Sequence, residues 1–132
     1  MRLLIDTNIV LELLLGQTQA DHAKKLFENA SHHEMFMSDY SVHSVGLLLF
    51  RRARHDAFAQ FLTDVFERAR LGMVFLPARD MHTVIDAARR FGLDFDDSYQ
   101  LAIAEKYSLV IVSFDQDFDR TGLGRKIPSE VS

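Results

Sequence analysis

Apolar residues along this chain fall in short blocks with two kinds of spacing. Leu3-Leu4-Ile5, Met35-Phe36-Met37, Met73-Val74-Phe75-Leu76 and Leu109-Val110-Ile111-Val112 are continuous runs too short for helices, and they predict buried strands. Between them the spacing turns helical. Ile9-Val10-Leu11 and Leu13-Leu14-Leu15 predict a buried helix, capped at Asp6-Thr7 and ended by Gly16. Ala23, Leu26, Phe27 and Ala30 share one face of a helix over 20–30. Ser38-Asp39 caps a helix running to about Arg52. Phe58, Phe61, Leu62, Val65, Phe66 and Ala69 form the clearest amphipathic stripe, closed by Gly72, and Met81, Val84, Ile85 and Ala88 mark a helix stopped at Gly92. Leu93-Asp94-Phe95-Asp96-Asp97 leads into a helix over 98–107, and Arg125-Lys126-Ile127-Pro128 is a candidate last short strand. Strands alternating with helices, with no repeat or linker, predict an α/β sandwich with a mostly parallel sheet. The 132 residues fit one domain, 1–132.

Composition narrows the classes. A hydrophobic share of 48% with 26% charged residues excludes intrinsic disorder. The chain has no cysteine, so disulfides, zinc–thiolate sites and cysteine nucleophiles are excluded, while six histidines leave a His/carboxylate metal site open. No apolar run approaches the roughly 20 residues of a membrane-spanning helix. The start is not a secretory signal, because Asp6 interrupts its apolar stretch at once. A cytoplasmic location without membrane contact is expected. The net charge of −4 argues against a general nucleic-acid coat, yet allows an enzyme that meets RNA through a local basic rim and a metal ion.

The acidic residues carry the chemistry. Asp6 follows the first strand, Asp115 lies just past the last, and Asp97 opens the helix leading back to it. In a parallel sheet all three lie at the carboxyl edge, where open α/β sheets hold ligands. Three ionised carboxylates at close range repel, and one must take a proton unless a cation neutralises them. Hard oxygen ligands without Cys suit Mg²⁺ or Mn²⁺. Such an ion grips phosphate oxygens and lowers the pKa of its bound water, which best supports phosphodiester hydrolysis. Each acid also has a plainer reading. Asp6 can be only a helix cap, Asp97 the third residue of a capping pair with Asp94, and Asp115 a turn residue. A phosphate-accepting Asp6 would want a second Asp two residues on, and position 8 is Asn.

Leu3-Leu4-Ile5-Asp6-Thr7-Asn8 resembles the opening of a PIN domain. Leu109-Val110-Ile111-Val112-Ser113-Phe114-Asp115-Gln116-Asp117-Phe118 resembles that family's strand and its T/S-x-D-x-D-F ending, and Asp97-Ser98-Tyr99-Gln100-Leu101-Ala102-Ile103-Ala104 its D-x-x-x-x-A-x-A helix. Order and spacing agree over essentially the whole chain, which is similar in form to small VapC-like toxins of bacterial toxin–antitoxin pairs. The resemblance implies a PIN-like three-layer α/β/α sandwich and a metal-dependent ribonuclease. Asp6, Asp97 and Asp115 would bind Mg²⁺ or Mn²⁺, Asn8 would hold the ligand geometry, and Ser113 would support the pocket by hydrogen bonding. Asp117 would be an outer acid or a solvated turn residue. One position departs from the family: its helix-three Glu falls on Ser44, with His43 alongside. His43 is a substitute ligand or phosphate contact, or else a packed histidine. Fewer carboxylates weaken a divalent site. Two functions therefore follow: an endoribonuclease, or a catalytically weakened PIN-fold regulator that binds RNA or protein.

Arg51, Arg52 and Arg54, with Arg68, Arg70, Arg89 and Arg90, gather at helix ends, as phosphate contacts or as partners of the helix dipole. No aromatic residues interleave them, so single-strand stacking is not expected. Eleven Phe in so short a chain fill a core stripe and suggest a further face on helices three and four, for a homodimer or an antitoxin segment.

Overall fold

The computed structural model describes residues 1–131; Ser132 lies outside the described residues. Strands β1 (Arg2–Ile5), β2 (Glu34–Ser38), β3 (Gly72–Val74) and β4 (Val110–Val112) form one parallel sheet ordered β3-β2-β1-β4. β1 is central, with Leu4 paired to Phe36 on one side and Ile111 on the other. Both faces are covered, so Leu3, Leu4 and Ile5 are all fully buried and the run does not alternate with polar residues.

Helices α1 (Thr7–Leu14), α2 (Ala20–Glu28), α3 (Asp39–Arg51) and α4 (His55–Leu62) cover one face; α5 (Met81–Phe91) and α6 (Phe95–Tyr107) cover the other. Successive strand residues point to opposite layers. Leu3, Ile5 and Met37 pack with Ile9, Leu26, Val45 and Phe61, whereas Leu4 and Ile111 pack with Val84, Leu101, Ile103 and Phe118. This is the expected three-layer α/β/α sandwich. α6 is buried continuously from Asp97 to Ala104. Such a helix has no wet face, which explains its lack of amphipathic spacing. A Cβ on Gly72 would stand 2.7 Å from Cδ1 of Phe36, so β2 and β3 close only over a glycine.

Several boundaries differ from expectation. α2 stops at Glu28 and a 3₁₀ turn, Ala30–His32, follows. The Phe-rich stripe is not one α-helix: α4 ends at Leu62, and Thr63–Arg68 winds as a π-helix in which Ala69 N bonds Asp64 O at 2.9 Å. Phe61 and Val65 still reach the core. Over so few turns, apolar spacing does not separate the two windings. Arg70, left-handed at φ 60°, ends the segment, and Gly72 begins β3 rather than closing a helix. α6 starts at Phe95 instead of Ser98 because the Asp94 side chain caps it, accepting from Asp97 N at 3.0 Å. The expected strand at Arg125–Pro128 is only a bridge. Lys126 N donates to Ile111 O at 2.8 Å and Lys126 O accepts from Ser113 N at 3.0 Å. Ile127 N turns to Glu130 Oε1 at 2.9 Å and Pro128 has no N–H, so the pairing goes no further.

Candidate active site

The carboxyl ends of all four strands share one edge, and a cleft of about 250 Å³ opens there. Asp6, Thr7, Asn8, Tyr40, Ser44, Asp94, Asp96, Asp97 and Asp115 line it together with Leu11. β1 delivers Asp6 and its N-terminal α1 neighbours, α3 delivers Tyr40 and Ser44 one turn apart, and the start of α6 delivers the Asp94–Asp97 group.

Asp6 is both helix cap and cleft residue. Its Oδ1 accepts from Thr7 N at 2.8 Å and Gln100 Nε2 at 2.9 Å; its Oδ2 accepts from Ser113 Oγ at 2.7 Å and Asn8 Nδ2 at 3.4 Å. Burial raises its pKa, and the Asp115 charge adds to that against the lowering effect of the hydrogen bonds. Asn8 and Ser113 brace it: Asn8 Nδ2 also reaches Ser113 Oγ at 3.0 Å, and Asn8 Oδ1 accepts from Phe114 N at 3.2 Å. Gln100 extends the brace, donating from the same Nε2 to Ser41 Oγ at 2.9 Å. Its buried Oε1 has no hydrogen-bond partner among the described residues.

Asp97 has no such set of donors. Its neighbours are acids, and burial first, then the charges of Asp115, Asp94 and Asp6, push its pKa up to about 8. Asp115 holds its own loop as a turn residue would: its Oδ1 accepts from Asp117 N at 2.8 Å, and its N–H donates to Ser113 Oγ at 2.9 Å. The cap and turn readings of Asp6, Asp94 and Asp115 therefore hold alongside their place in the cleft.

Carboxylate oxygens of Asp97, Asp115 and Asp117 lie within 4.8 Å of one another. The tight cluster thus contains Asp117 where the sequence pointed to Asp6. Asp6 stands at the cleft wall with both oxygens engaged, and Asp117 is further tied to Arg120 Nη2 at 3.0 Å. The donor set is all carboxylate, and no Lys or Arg lines the cleft among the described residues. That chemistry fits a hard divalent ion such as Mg²⁺ or Mn²⁺.

His43 is the expectation that geometry corrects. Ser44 lines the cleft, but His43, one residue earlier on α3, lines an apolar groove with Val42, Leu47, Phe50, Phe58 and Met73. A step of about 100° around the helix takes it off the carboxylate face. Asp39 also points away, accepting from Tyr99 Oη at 2.8 Å. Gln100, Tyr40, Asp94 and Asp96 were not singled out from sequence as site residues. Gln100 lies one turn past Asp97, and Tyr40 one turn before Ser44; those i, i+3 and i, i+4 offsets are the signal that finds them. Burial first, and then the neighbouring Asp96 carboxylate, raise the pKa of the Tyr40 phenol. Asp94 and Asp96 bring to the cleft the negative charge that Ser44 lacks.

The basic clusters separate by edge. Arg51, Arg52 and Arg54 sit at the far end of α3, roughly 20 Å from its start at the cleft edge. Arg68 and Arg70 precede β3 at that same far edge. α5 starts beside the end of α6, where Asp80 pairs with Lys106, and ends beside the cleft, where Gly92 O accepts from Arg120 at 2.9 Å. Arg89 and Arg90 therefore stand, exposed, at the cleft end.

A parallel β3-β2-β1-β4 sheet between two helical layers, with an acid-lined cleft at its carboxyl edge, defines an α/β domain built around a carboxylate rim. The chain belongs to the PIN domain family, whose sequence model matches residues 3–123. Solved structures share the fold at low identity. A toxin–antitoxin complex from Klebsiella pneumoniae aligns with TM-score 0.74 and 18% identity, covering 96% of this chain and 97% of that one. Mycobacterium tuberculosis VapC20, a sarcin–ricin loop cleaving toxin, aligns with TM-score 0.72 and 20% identity over 91% and 95% of the two chains. VapBC2 from Rickettsia felis, bound to a promoter DNA fragment, aligns with TM-score 0.73 and 15% identity over 96% and 97%. No match is found among curated protein sequences.

Proposed function

We propose that this chain is a metal-dependent endoribonuclease that hydrolyses RNA phosphodiester bonds, and that it is the toxin of a toxin–antitoxin pair. The observation that carries the reading is the convergence of Asp97, Asp115 and Asp117 oxygens within 4.8 Å at the carboxyl edge. Membership of the PIN domain family and the toxin folds it resembles support it. Asp97, Asp115 and Asp117 would hold Mg²⁺ or Mn²⁺, with Asp6 at the adjacent wall. A bound ion would offset their mutual repulsion, bind the phosphate and lower the pKa of a water ligand. Asp6, braced by Asn8, Ser113 and Gln100, fixes the wall against which the water is oriented. Incubating the protein with RNA in Mn²⁺, with EDTA and Asp97→Asn as controls, tests this. Cleavage that needs both metal and Asp97 supports it; cleavage indifferent to either, or none over many RNAs, refutes it.

A second reading, a PIN-fold regulator that no longer cleaves, is favoured by one observation: Ser44 lines the cleft where the family's Glu is expected. Asp94 and Asp96 weigh against it, because they keep the cleft acidic. If Ser44→Glu switches on activity in an inert protein, the regulator reading is right. The remaining assignments follow the first reading. Residues 1–132 act as one unit in the cytoplasm, where RNA is met. An antitoxin neutralises it, and the apolar groove of Val42, Leu47, Phe50 and Met73 joins two copies.

A further inference from the structure

A row of rings that the carboxylate chemistry does not use leads from the cleft lining to the surface. Tyr40 lines the cleft, and its ring centroid is 6.2 Å from that of Tyr99, tilted at 51°. Tyr99 stacks on Phe95, with centroids 6.1 Å apart and planes at 29°. Tyr99 is 5% exposed, and its hydroxyl is held at both sides, donating to Asp39 Oδ1 at 2.8 Å and accepting from Leu76 N at 3.0 Å. The base of the row is therefore rigid. Its outer member, Phe95, is 58% exposed while its ring stays stacked beside Tyr99. Phe95 stands in the first turn of α6 between Asp94 and Asp96, which both line the cleft.

We propose that Phe95 is a stacking platform for an unpaired base of the RNA, adjacent to the phosphate held at the carboxylates. This inference rests on the ribonuclease reading. A base offers a flat π face, and a supported, exposed phenyl ring is its sequence-tolerant partner. The cleft wall is acidic and repels flanking phosphates, whereas Arg89 and Arg90 at the same edge supply cations for them. A paired base has both faces covered by its neighbours, so the substrate region is single-stranded. Phe95 and Tyr99 are one turn apart on α6 but Tyr40 comes from α3, and none of the three interleaves the arginine clusters, which is why those clusters gave no sign of stacking.

The chain has no Trp, so Phe95→Trp places its one indole on the platform. The probe is a fluorescein-labelled, mixed-sequence single-stranded oligoribonucleotide in Ca²⁺, with the blunt duplex of the same sequence alongside. Saturable quenching of the indole, with the midpoint given by fluorescein anisotropy, is expected for the single strand and not for the duplex. Phe95→Leu should lose on the order of tenfold in affinity, seen as a raised KM at unchanged kcat, while Mn²⁺ binding by calorimetry stays constant. If wild type binds the strand but the indole does not respond, or Phe95→Leu binds as tightly, the platform is refuted and the ribonuclease reading stands. Indole emission that changes with protein concentration alone means that a second copy covers the ring, which also refutes it. A wild type that neither binds nor cleaves RNA removes the ribonuclease reading and the platform with it.

Discussion

Asp6 and Asp97 both show little surface, 8% and 7% exposed, with Asp6 the more deeply set, and both charges are disfavoured by burial. They differ in what surrounds them. Asp6 receives hydrogen bonds from Thr7, Asn8, Gln100 and Ser113, while Asp97 faces Asp115, Asp94 and Asp6. A buried carboxylate with many donors is a structural anchor. One crowded by other acids is a group whose charge a bound cation would stabilise.

The contrast breaks most visibly in catalysis. Asp97→Asn should lower Mn²⁺-dependent cleavage more than about 100-fold, beyond the usual cost of an outer hydrogen-bonding partner, as gel-based RNA cleavage would read. Stability should rank the pair the other way. Asp6→Ala strands several buried donors and should cost on the order of 3 kcal/mol in urea unfolding, whereas Asp97→Asn in EDTA should be neutral or stabilising. The pH response sharpens the same point. Burial and the surrounding acids push the folded Asp97 carboxyl up to about 8, against about 3.9 unfolded, so the folded state holds the extra proton between those values. Stability from that proton is present in acid and lost as pH rises towards 8. The Tm of EDTA-treated protein should therefore fall from pH 5 to pH 8, and Mn²⁺ should restore it most at pH 8. Asp97→Asn should flatten the fall. The smallest effect is expected from Ser44→Glu, which enters a cleft already served by Asp94 and Asp96: Mn²⁺ affinity by calorimetry should rise less than about tenfold.

The strand–helix alternation and the acidic edge, though not the strand order, were legible because β1 and β4 are continuous apolar runs followed at once by Asp6 and by Ser113-Phe114-Asp115. Short spacing rules carried that information. What stayed hidden depended on rotation and on distance across the fold. His43 and Ser44 are adjacent in sequence but open onto different cavities, a choice made by the angle at which α3 lies on the sheet. Gln100 reaches Asp6 from a distant helix, and no local pattern encodes that contact. Asp117 replaces Asp6 in the tight cluster because the 3₁₀ turn over Gln116–Arg120 folds it back towards Asp115. The π-helix at Thr63–Arg68 escaped because its apolar spacing fits two windings.

The Lys126 bridge has a consequence for how the acids are kept in place. Asp115 and Asp117 hang from a loop whose two ends are stitched side by side, Ile111 and Ser113 on one strand holding the main chain of Lys126 on the returning one. Arg125 adds a clasp to Ser113 O at 3.1 Å. The region matched by the family model stops at residue 123, short of this stitch. A protein trimmed to that region would keep every acid of the cleft and lose the tether, leaving two of its carboxylates on a loose tail.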